Sequence, residues 1–164
     1  MSQYFLAVIL TVCTAIFPIC AQAQEWTFGV GATDYGNDGD DSAAFEVEYR
    51  YAPFMQRRVM SLSWGANGSA SAEGDLFIGG GIWARWHWQN GWFIDSSIMP
   101  GLYDEGTSDN DLGSAFEIRS LLGVGYQLES GAAVSVAITH KSNAGLASEN
   151  PGSETYLLRY HMSF

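Results

Sequence analysis

The sequence predicts an all-β fold, an eight-stranded antiparallel transmembrane β-barrel, and three observations support it. From Trp26 onward, apolar and polar residues alternate in segments of about ten residues that Gly-rich or polar breaks separate. The chain is rich in glycine and aromatic residues, with 19 Gly, 8 Tyr, 9 Phe and 6 Trp, as expected of many short strands and turns. Only 15% of the residues are charged and 47% are hydrophobic, so much apolar surface is expected to face something other than water.

The first element is a predicted signal peptide over residues 1–23, which leaves residues 24–164 as the barrel. Its apolar run ends at Ile19, and Ala21 and Ala23 then match the small-residue pattern of a signal peptidase site. The competing interpretation is an anchoring helix, but the run is short and contains Pro18. We therefore expect an exported protein.

The cysteines and the charge balance exclude several kinds of function. Cys13 and Cys20 both lie in the leader, so the mature chain is expected to have no disulfide and no cysteine metal site. The residues before Cys20 are not the small ones that a lipoprotein signal requires. With 7 Lys+Arg against 18 Asp+Glu, the net charge is -11, which argues against nucleic acid as a partner because phosphates favour basic residues.

Eight predicted strands follow the leader. They span approximately residues 26–33, 44–52, 57–66, 75–88, 92–101, 114–128, 132–142 and 154–164. The connections at one end are longer, as is usual of extracellular loops: 34–43, 67–74, 102–113 and 143–153. The other connections are short turns: 53–56, 89–91 and 129–131. In an eight-stranded barrel side chains fill the interior, so a general diffusion pore is not expected.

Alternation assigns each residue to one of two faces. In the second segment Phe45 and Val47 point one way, whereas Glu46 and Glu48 point the other. A soluble barrel would place the apolar set inside, and a membrane barrel places it against lipid.

Three features favour lipid. The polar face carries equal numbers of acids and bases that can pair in a narrow lumen: Glu46, Glu48, Asp95 and Glu117 with Arg50, Arg85, Arg119 and Arg159. Aromatic residues of the apolar face fall near the periplasmic ends, as an interfacial girdle should: Trp26, Tyr51, Trp86, Trp88, Trp92, Tyr126, Tyr160 and Phe164. The last segment alternates and ends on Phe164, like the terminal strand of bacterial outer-membrane barrels. On the inward face, His87 and His161 are interpreted as hydrogen-bonding groups of the lumen.

The candidate site is a break in the apolar face near the predicted extracellular end. His140 and Ser142 share the outward face of the seventh segment, and Glu154 points outward in the eighth. A hairpin centred near Ala147 would place residue 140 opposite residue 154, where cross-strand side chains touch. Because polar residues on a lipid-facing wall are costly, this cluster indicates function.

The chemistry of the cluster is that of a nucleophile, a base and an orienting acid. Ser142 is predicted to attack an ester carbonyl, His140 to accept its proton, and Glu154 to orient the imidazole. Asn143 or nearby backbone N–H groups, with Gly145 giving backbone freedom, are candidate donors to the oxyanion. A serine triad needs no metal or other cofactor.

The same segment resembles a known family. Its residues are Thr139-His140-Lys141-Ser142-Asn143-Ala144-Gly145, followed by Asn150-Pro151-Gly152 and Glu154. This resembles the signature of the lipid A 3-O-deacylases, PagL-like outer-membrane enzymes. The resemblance implies that His140, Ser142 and Glu154 are the catalytic triad, Asn143 an oxyanion-side residue and Asn150 a loop position. It also implies lipopolysaccharide as substrate, through its lipid A part, hydrolysis of the 3-O-linked acyl chain, and a bacterial outer membrane with the active site towards the outer leaflet.

Several alternatives stay open at this point. Two acidic loop groups have the ligand type for Ca²⁺ or Mg²⁺ bridging lipopolysaccharide phosphates, although solvated loops are the preferred interpretation. They are Asp34, Asp38, Asp40 and Asp41, and Asp104, Glu105, Asp109 and Asp111. Other functions are a non-catalytic small barrel, structural or adhesive, and a related lipid acyltransferase or phospholipase. Outer-membrane lipids are expected neighbours, and a monomer and a homodimer are both compatible with the sequence.

Overall fold

The computed structural model describes residues 23–34, 42–106 and 110–164, which form eight antiparallel strands closed into a barrel. The strands are β1 (Ala23–Asp34), β2 (Ser42–Gln56), β3 (Met60–Ser71), β4 (Leu76–His87), β5 (Trp92–Asp104), β6 (Phe116–Gln127), β7 (Ala133–Ser142) and β8 (Ser153–Ser163). Each strand pairs with the next, and β1 closes the barrel against β8. The predicted fold class and strand count are confirmed. The predicted leader lies outside the described residues, except for Ala23, the first residue of β1.

The largest difference from the predicted boundaries is in β3. The sequence predicted this strand over 57–66, whereas it begins at Met60 and continues to Ser71. The small residues at the end of β3 remain paired with β2, since Gly68 pairs with Val47 and Ala70 with Phe45. The predicted loop 67–74 is therefore only 72–75, because pairing with β2 outweighs the weak strand propensity of small residues. The described ranges contain no helix that is both long and apolar enough to cross a membrane.

The two faces of the wall are as predicted. Exposed outward residues are apolar, with Ile78 among the most exposed at 68%. Every one of the eight predicted lumen charges is buried, and seven of them form ion pairs: for example, Arg85 Nε lies 2.6 Å from Asp95 Oδ1, and Arg159 bonds Glu48. The carboxylate of the eighth, Glu117, has no hydrogen-bond partner among the described residues. An apolar exterior around a charged interior is the arrangement of a transmembrane barrel, because lipid cannot hydrogen-bond a charge.

The charged network is larger than the sequence predicted. Glu25, Asp75 and Lys141 are also buried in the lumen, and Lys141 Nζ lies 3.2 Å from Asp75 Oδ2. The predicted set of lumen charges does not include Glu25, because the predicted first strand begins one residue later, at Trp26. Trp83, Phe93 and Met99 fill the interior. Their presence agrees with the prediction that the barrel is not an open pore.

The predicted aromatic girdle lies at the end of the barrel where the connections are short. Trp92 and Tyr126 are register partners, and their ring centroids are 5.5 Å apart. Trp26 packs against Tyr49 with ring centroids 4.6 Å apart. Aromatic rings at this level mark one membrane interface, so the candidate site belongs at the opposite one.

Candidate active site

Four polar residues form a row across the outward face of the wall, one from each of four neighbouring strands. Asp34 of β1 is the register partner of Glu154 in β8, Glu154 of His140 in β7, and His140 of Ser120 in β6. The predicted pairing of residues 140 and 154 is confirmed. Ser142 lies two positions further along β7, on the same face. The row is close to the strand ends, where a charged side chain on the lipid face costs only about 0–1 kcal/mol.

Ser120 was not among the residues predicted for the site, and Asp34 was assigned to an acidic loop. Ser120 Oγ donates to the backbone oxygen of His140 at 3.4 Å. The signal was present in the sequence, because Ser120 interrupts the outward apolar series of its strand two residues before Leu122. Ser120 can be assigned to the site only when the register of β6 against β7 is known.

The imidazole of His140 is oriented by Glu154. His140 Nδ1 lies 2.8 Å from Glu154 Oε1, and the two side chains are 46% and 39% exposed. An imidazole that donates its Nδ1–H to a carboxylate presents Nε2 as a proton acceptor. The pair therefore has the arrangement of a general base with its orienting acid.

Ser142 is brought to the same face but is not yet bonded to the base. Residues two apart in a strand have Cα atoms about 6.7 Å apart. Ser142 is half-buried, and its hydroxyl makes no hydrogen bond to another residue in the described part of the chain. Hydrogen bonds between a nucleophile and its base are often long without substrate and shorten in the complex.

The loop after β7 is held together by Asn143, whose side chain is fully buried. Its Nδ2 donates to the backbone oxygens of Leu112 at 3.0 Å and Glu149 at 2.7 Å, and its Oδ1 accepts the Gly145 N–H at 3.0 Å. The Asn143 N–H donates to Asn150 Oδ1 at 2.9 Å. These donors are all occupied, so in this conformation Asn143 has none for an oxyanion. Successive side chains of a strand point to opposite faces, so Asn143 lies on the lumen side of the wall and Ser142 on the lipid side.

A tight turn follows directly. The Leu146 N–H donates to the Asn143 backbone oxygen at 3.1 Å, and the two central residues have left-handed backbones, with φ of 56° at Ala144 and 76° at Gly145. Ala144 is the only non-glycine residue with positive φ in the described ranges. A left-handed alanine costs about 1–2 kcal/mol. Such strain persists where surrounding contacts determine the backbone, as Asn143 does here.

An apolar groove of about 680 Å³ begins immediately below the polar row. The next outward register pair beneath His140 and Glu154 is Ile138 with Tyr156. Val136 with Leu158 follows, and all four residues line the groove. The groove gives a continuous apolar path from the exposed imidazole towards the middle of the wall.

A second Ser-His-Glu set lies inside the barrel. His161 Nε2 is 2.8 Å from Ser135 Oγ, and its Nδ1 is 3.0 Å from Glu25 Oε1. All three residues are at most 4% exposed, and Glu25 also bonds Arg50 and Arg85. The set joins β1, β7 and β8 and is sealed from substrate. The prediction that His161 is a hydrogen-bonding group of the lumen is confirmed, whereas His87 is half-exposed.

No three His, Cys, Asp or Glu side chains in residues 23–34, 42–106 and 110–164 are grouped so that they could hold a metal ion. Of the acidic loop residues considered as cation ligands, Asp38, Asp40, Asp41 and Asp109 lie outside the described residues.

The fold and the site together define a small transmembrane barrel with a serine, a histidine and a glutamate side by side on its lipid-facing wall. Comparison of the sequence with known families identifies which one: a profile described as "Lipid A 3-O-deacylase (PagL)" matches residues 43–163, and the chain belongs to that family.

Two curated relatives are both described as "Lipid A deacylase PagL". The Bordetella bronchiseptica protein is 29% identical over 103 residues, which cover 62% of this chain and 57% of the relative. The Pseudomonas aeruginosa protein is 40% identical over 70 residues, which cover 42% of this chain and 40% of the relative. The chain thus matches about half the length of these relatives.

Solved structures agree on the fold. The crystal structure of the outer membrane enzyme PagL superposes with a TM-score of 0.69 at 23% identity, covering 85% of this chain and 99% of that one. Neisserial surface protein A has a TM-score of 0.55 at 10% identity, covering 87% and 96%. At these identities the likeness shows the barrel and nothing further.

Proposed function

We propose that this protein hydrolyses the 3-O-linked acyl chain of lipid A in a bacterial outer membrane, with Ser142, His140 and Glu154 as its catalytic triad. The observation that carries the proposal is the His140–Glu154 bond of 2.8 Å on the lipid-facing wall, next to an outward serine. Membership of the lipid A 3-O-deacylase family supports the choice of substrate.

The reaction follows from the geometry of the row. His140 Nε2 takes the proton of Ser142 as Oγ attacks the ester carbonyl, and Glu154 stabilises the resulting imidazolium. The imidazolium then protonates the sugar oxygen as its bond to the carbonyl carbon breaks, so the sugar leaves with a free hydroxyl and the acyl chain stays esterified to Ser142. A water molecule, activated by the same imidazole, hydrolyses this ester and releases the fatty acid. The half-exposed row admits that water from the extracellular side.

The acyl chain lies in the apolar groove beneath the row. In this position its carbonyl meets Ser142 while its carbons contact Ile138, Val136 and Leu158. Burial in apolar surroundings stabilises a hydrocarbon by about 0.8 kcal/mol per CH₂. The sugar part stays at head-group level, and the active site faces the outer leaflet.

Asn143, Gly145 and Asn150 act as positioning residues for the substrate and its oxyanion. Their mutual hydrogen bonds hold the loop that follows Ser142. The loop's own shape, rather than the Asn143 amide group, would then place backbone N–H groups near the carbonyl.

The test is mass spectrometry of lipid A from membranes with and without the protein. Ser142→Ala should abolish release of the 3-linked chain. Ser135→Ala is the matched control. It removes a serine hydroxyl from the same strand, the one that bonds the buried His161, and should leave hydrolysis intact. Full activity of the Ser142→Ala variant, in a folded barrel, would refute the assignment.

Substrate panels separate the remaining alternatives. Purified lipid A and purified phospholipid, supplied separately, should give fatty acid from the first only. Release from phospholipid would instead indicate a phospholipase, and transfer of the chain to a second lipid would indicate an acyltransferase. A barrel with a structural or adhesive role would release nothing from either lipid, and substitution of His140 would change nothing.

A further inference from the structure

Gly152 lies against the ring of His140. A Cβ atom added at Gly152 would be 2.9 Å from His140 Cε1 and 3.5 Å from His140 Nε2. Ordinary contact begins at 3.4 Å, so a side chain here would displace the ring edge by about 0.5 Å. The atoms in the way belong to a side chain and not to backbone, so the ring would move first.

The ring is thus held on two sides by residues two positions apart. Glu154 binds Nδ1 at 2.8 Å, while the edge between Cε1 and Nε2 lies where it would contact a Cβ atom at residue 152. Any movement of the ring away from Gly152 either stretches the bond to Glu154 or turns Nε2 relative to Ser142. Reaction rates are sensitive to such shifts, since about 1 Å of misplacement can cost about 100-fold.

Gly131, in the turn between β6 and β7, provides a comparison outside the site. Its φ is 89° and that of Gly152 is 73°, so both backbones are left-handed. A Cβ at Gly131, however, would meet nothing within 4 Å. Variants at Gly131 therefore add a side chain to a left-handed glycine without the contact with His140.

We infer that Gly152 is a positioning residue for catalysis: the absence of a side chain at this position sets where the imidazole of His140 rests and how its Nε2 faces Ser142. The inference rests on the proposed function, in which His140 is the base. It concerns a residue that touches the base and not the reacting atoms.

The experiment compares Gly152→Ala and Gly152→Asn with Gly131→Ala and Gly131→Asn in purified, folded barrels, using lipid A in detergent micelles. Asparagine tolerates the left-handed region, so the Asn pair adds a Cβ with little backbone strain. We expect kcat of both Gly152 variants to fall about 10- to 100-fold with KM unchanged. The Gly131 variants should stay within about twofold of the parent protein. The ¹⁵N resonances of the His140 ring should move only in the Gly152 variants.

Two results would overturn the inference: a Gly152→Asn variant with the kcat of Gly131→Asn, or unchanged His140 ring resonances in both Gly152 variants. Ser142→Ala is measured alongside. If it retains activity, the proposed function fails, while the ring resonances still report whether Gly152 positions His140. If it is inactive and the Gly152 and Gly131 variants behave alike, only the role of Gly152 fails.

Discussion

Replacing Glu154 with glutamine tests the residue that orients the base, since glutamine keeps the size of the side chain and removes its charge. In the structure His140 Nδ1 and Glu154 Oε1 are 2.8 Å apart, and the side chains are 46% and 39% exposed. The pair is therefore partly screened by water. Its contribution appears when His140 becomes an imidazolium in the transition state.

Coulomb's law bounds the size of the effect. At 2.8 Å a pair of unit charges interacts by about 1.5 kcal/mol in water and about 6 kcal/mol at an effective dielectric constant of 20. Exposed ion pairs contribute about 0.2–1 kcal/mol to folding, so the interaction energy of this half-exposed pair should be closer to the value in water than to the value at a dielectric constant of about 20. We expect a loss of about 1.5–3 kcal/mol of transition-state stabilisation, which is about a 10- to 150-fold fall in kcat. A buried triad acid is worth about 10⁴-fold.

Initial rates of fatty acid release from lipid A measure this loss. Glu25→Gln is the control, because Glu25 holds the same position relative to the buried His161 and should change stability without changing the rate of the folded protein. A Glu154→Gln rate within twofold of the parent protein would refute the orienting role. A fall in rate near about 10⁴-fold would show that water does not screen the His140–Glu154 pair and would refute the magnitude given above.

Three further predictions concern the loop, the lumen and the groove. Ala144→Gly, which removes the left-handed alanine with φ of 56°, should raise the free energy of unfolding by about 0.5–1 kcal/mol in denaturant titrations, and a loss of stability would contradict the strain. Arg159→Met removes one of the two arginines that Glu46 and Glu48 share and leaves only Arg119 beside two buried carboxylates, so it should destabilise the barrel by about 3–5 kcal/mol, measured by thermal unfolding. Val136→Trp fills the groove, so it should slow hydrolysis of lipid A and spare a short soluble ester, and equal effects on both substrates would place the acyl chain elsewhere.

The strands and their faces could be predicted because one constraint applies along the whole chain. Lipid outside and a packed, charged lumen inside impose a period of two on every strand, and a slip of one residue would reverse both faces. The same period fixed the outward direction of His140 and Glu154. Their pairing then followed from a loop that extends equally on both sides of its centre, as the register confirms.

The rest of the site depends on contacts that no local pattern contains. Asn143 is a loop scaffold because it binds the backbone of Leu112, 31 residues earlier. Ser120 joins the polar row through the register of β6 against β7. Gly152 looks like an ordinary turn glycine in sequence, and its closeness to His140 is a matter of a few tenths of an ångström. These three depend on how separate segments meet.

Access, and not bond length, distinguishes the proposed active site from the buried Ser-His-Glu set. The buried set is the better bonded, since Ser135 Oγ and His161 Nε2 are 2.8 Å apart, and the hydroxyl of Ser142 has no such bond to any described residue. A serine that is already bonded and at most 4% exposed cannot meet an ester that arrives from the membrane. Among the described residues the outer set leaves Ser142 Oγ and His140 Nε2 without a hydrogen-bond partner, above an apolar groove. Its incomplete hydrogen bonding is therefore what a substrate-accepting site requires, and the contrast between Ser142→Ala and Ser135→Ala tests this reasoning directly.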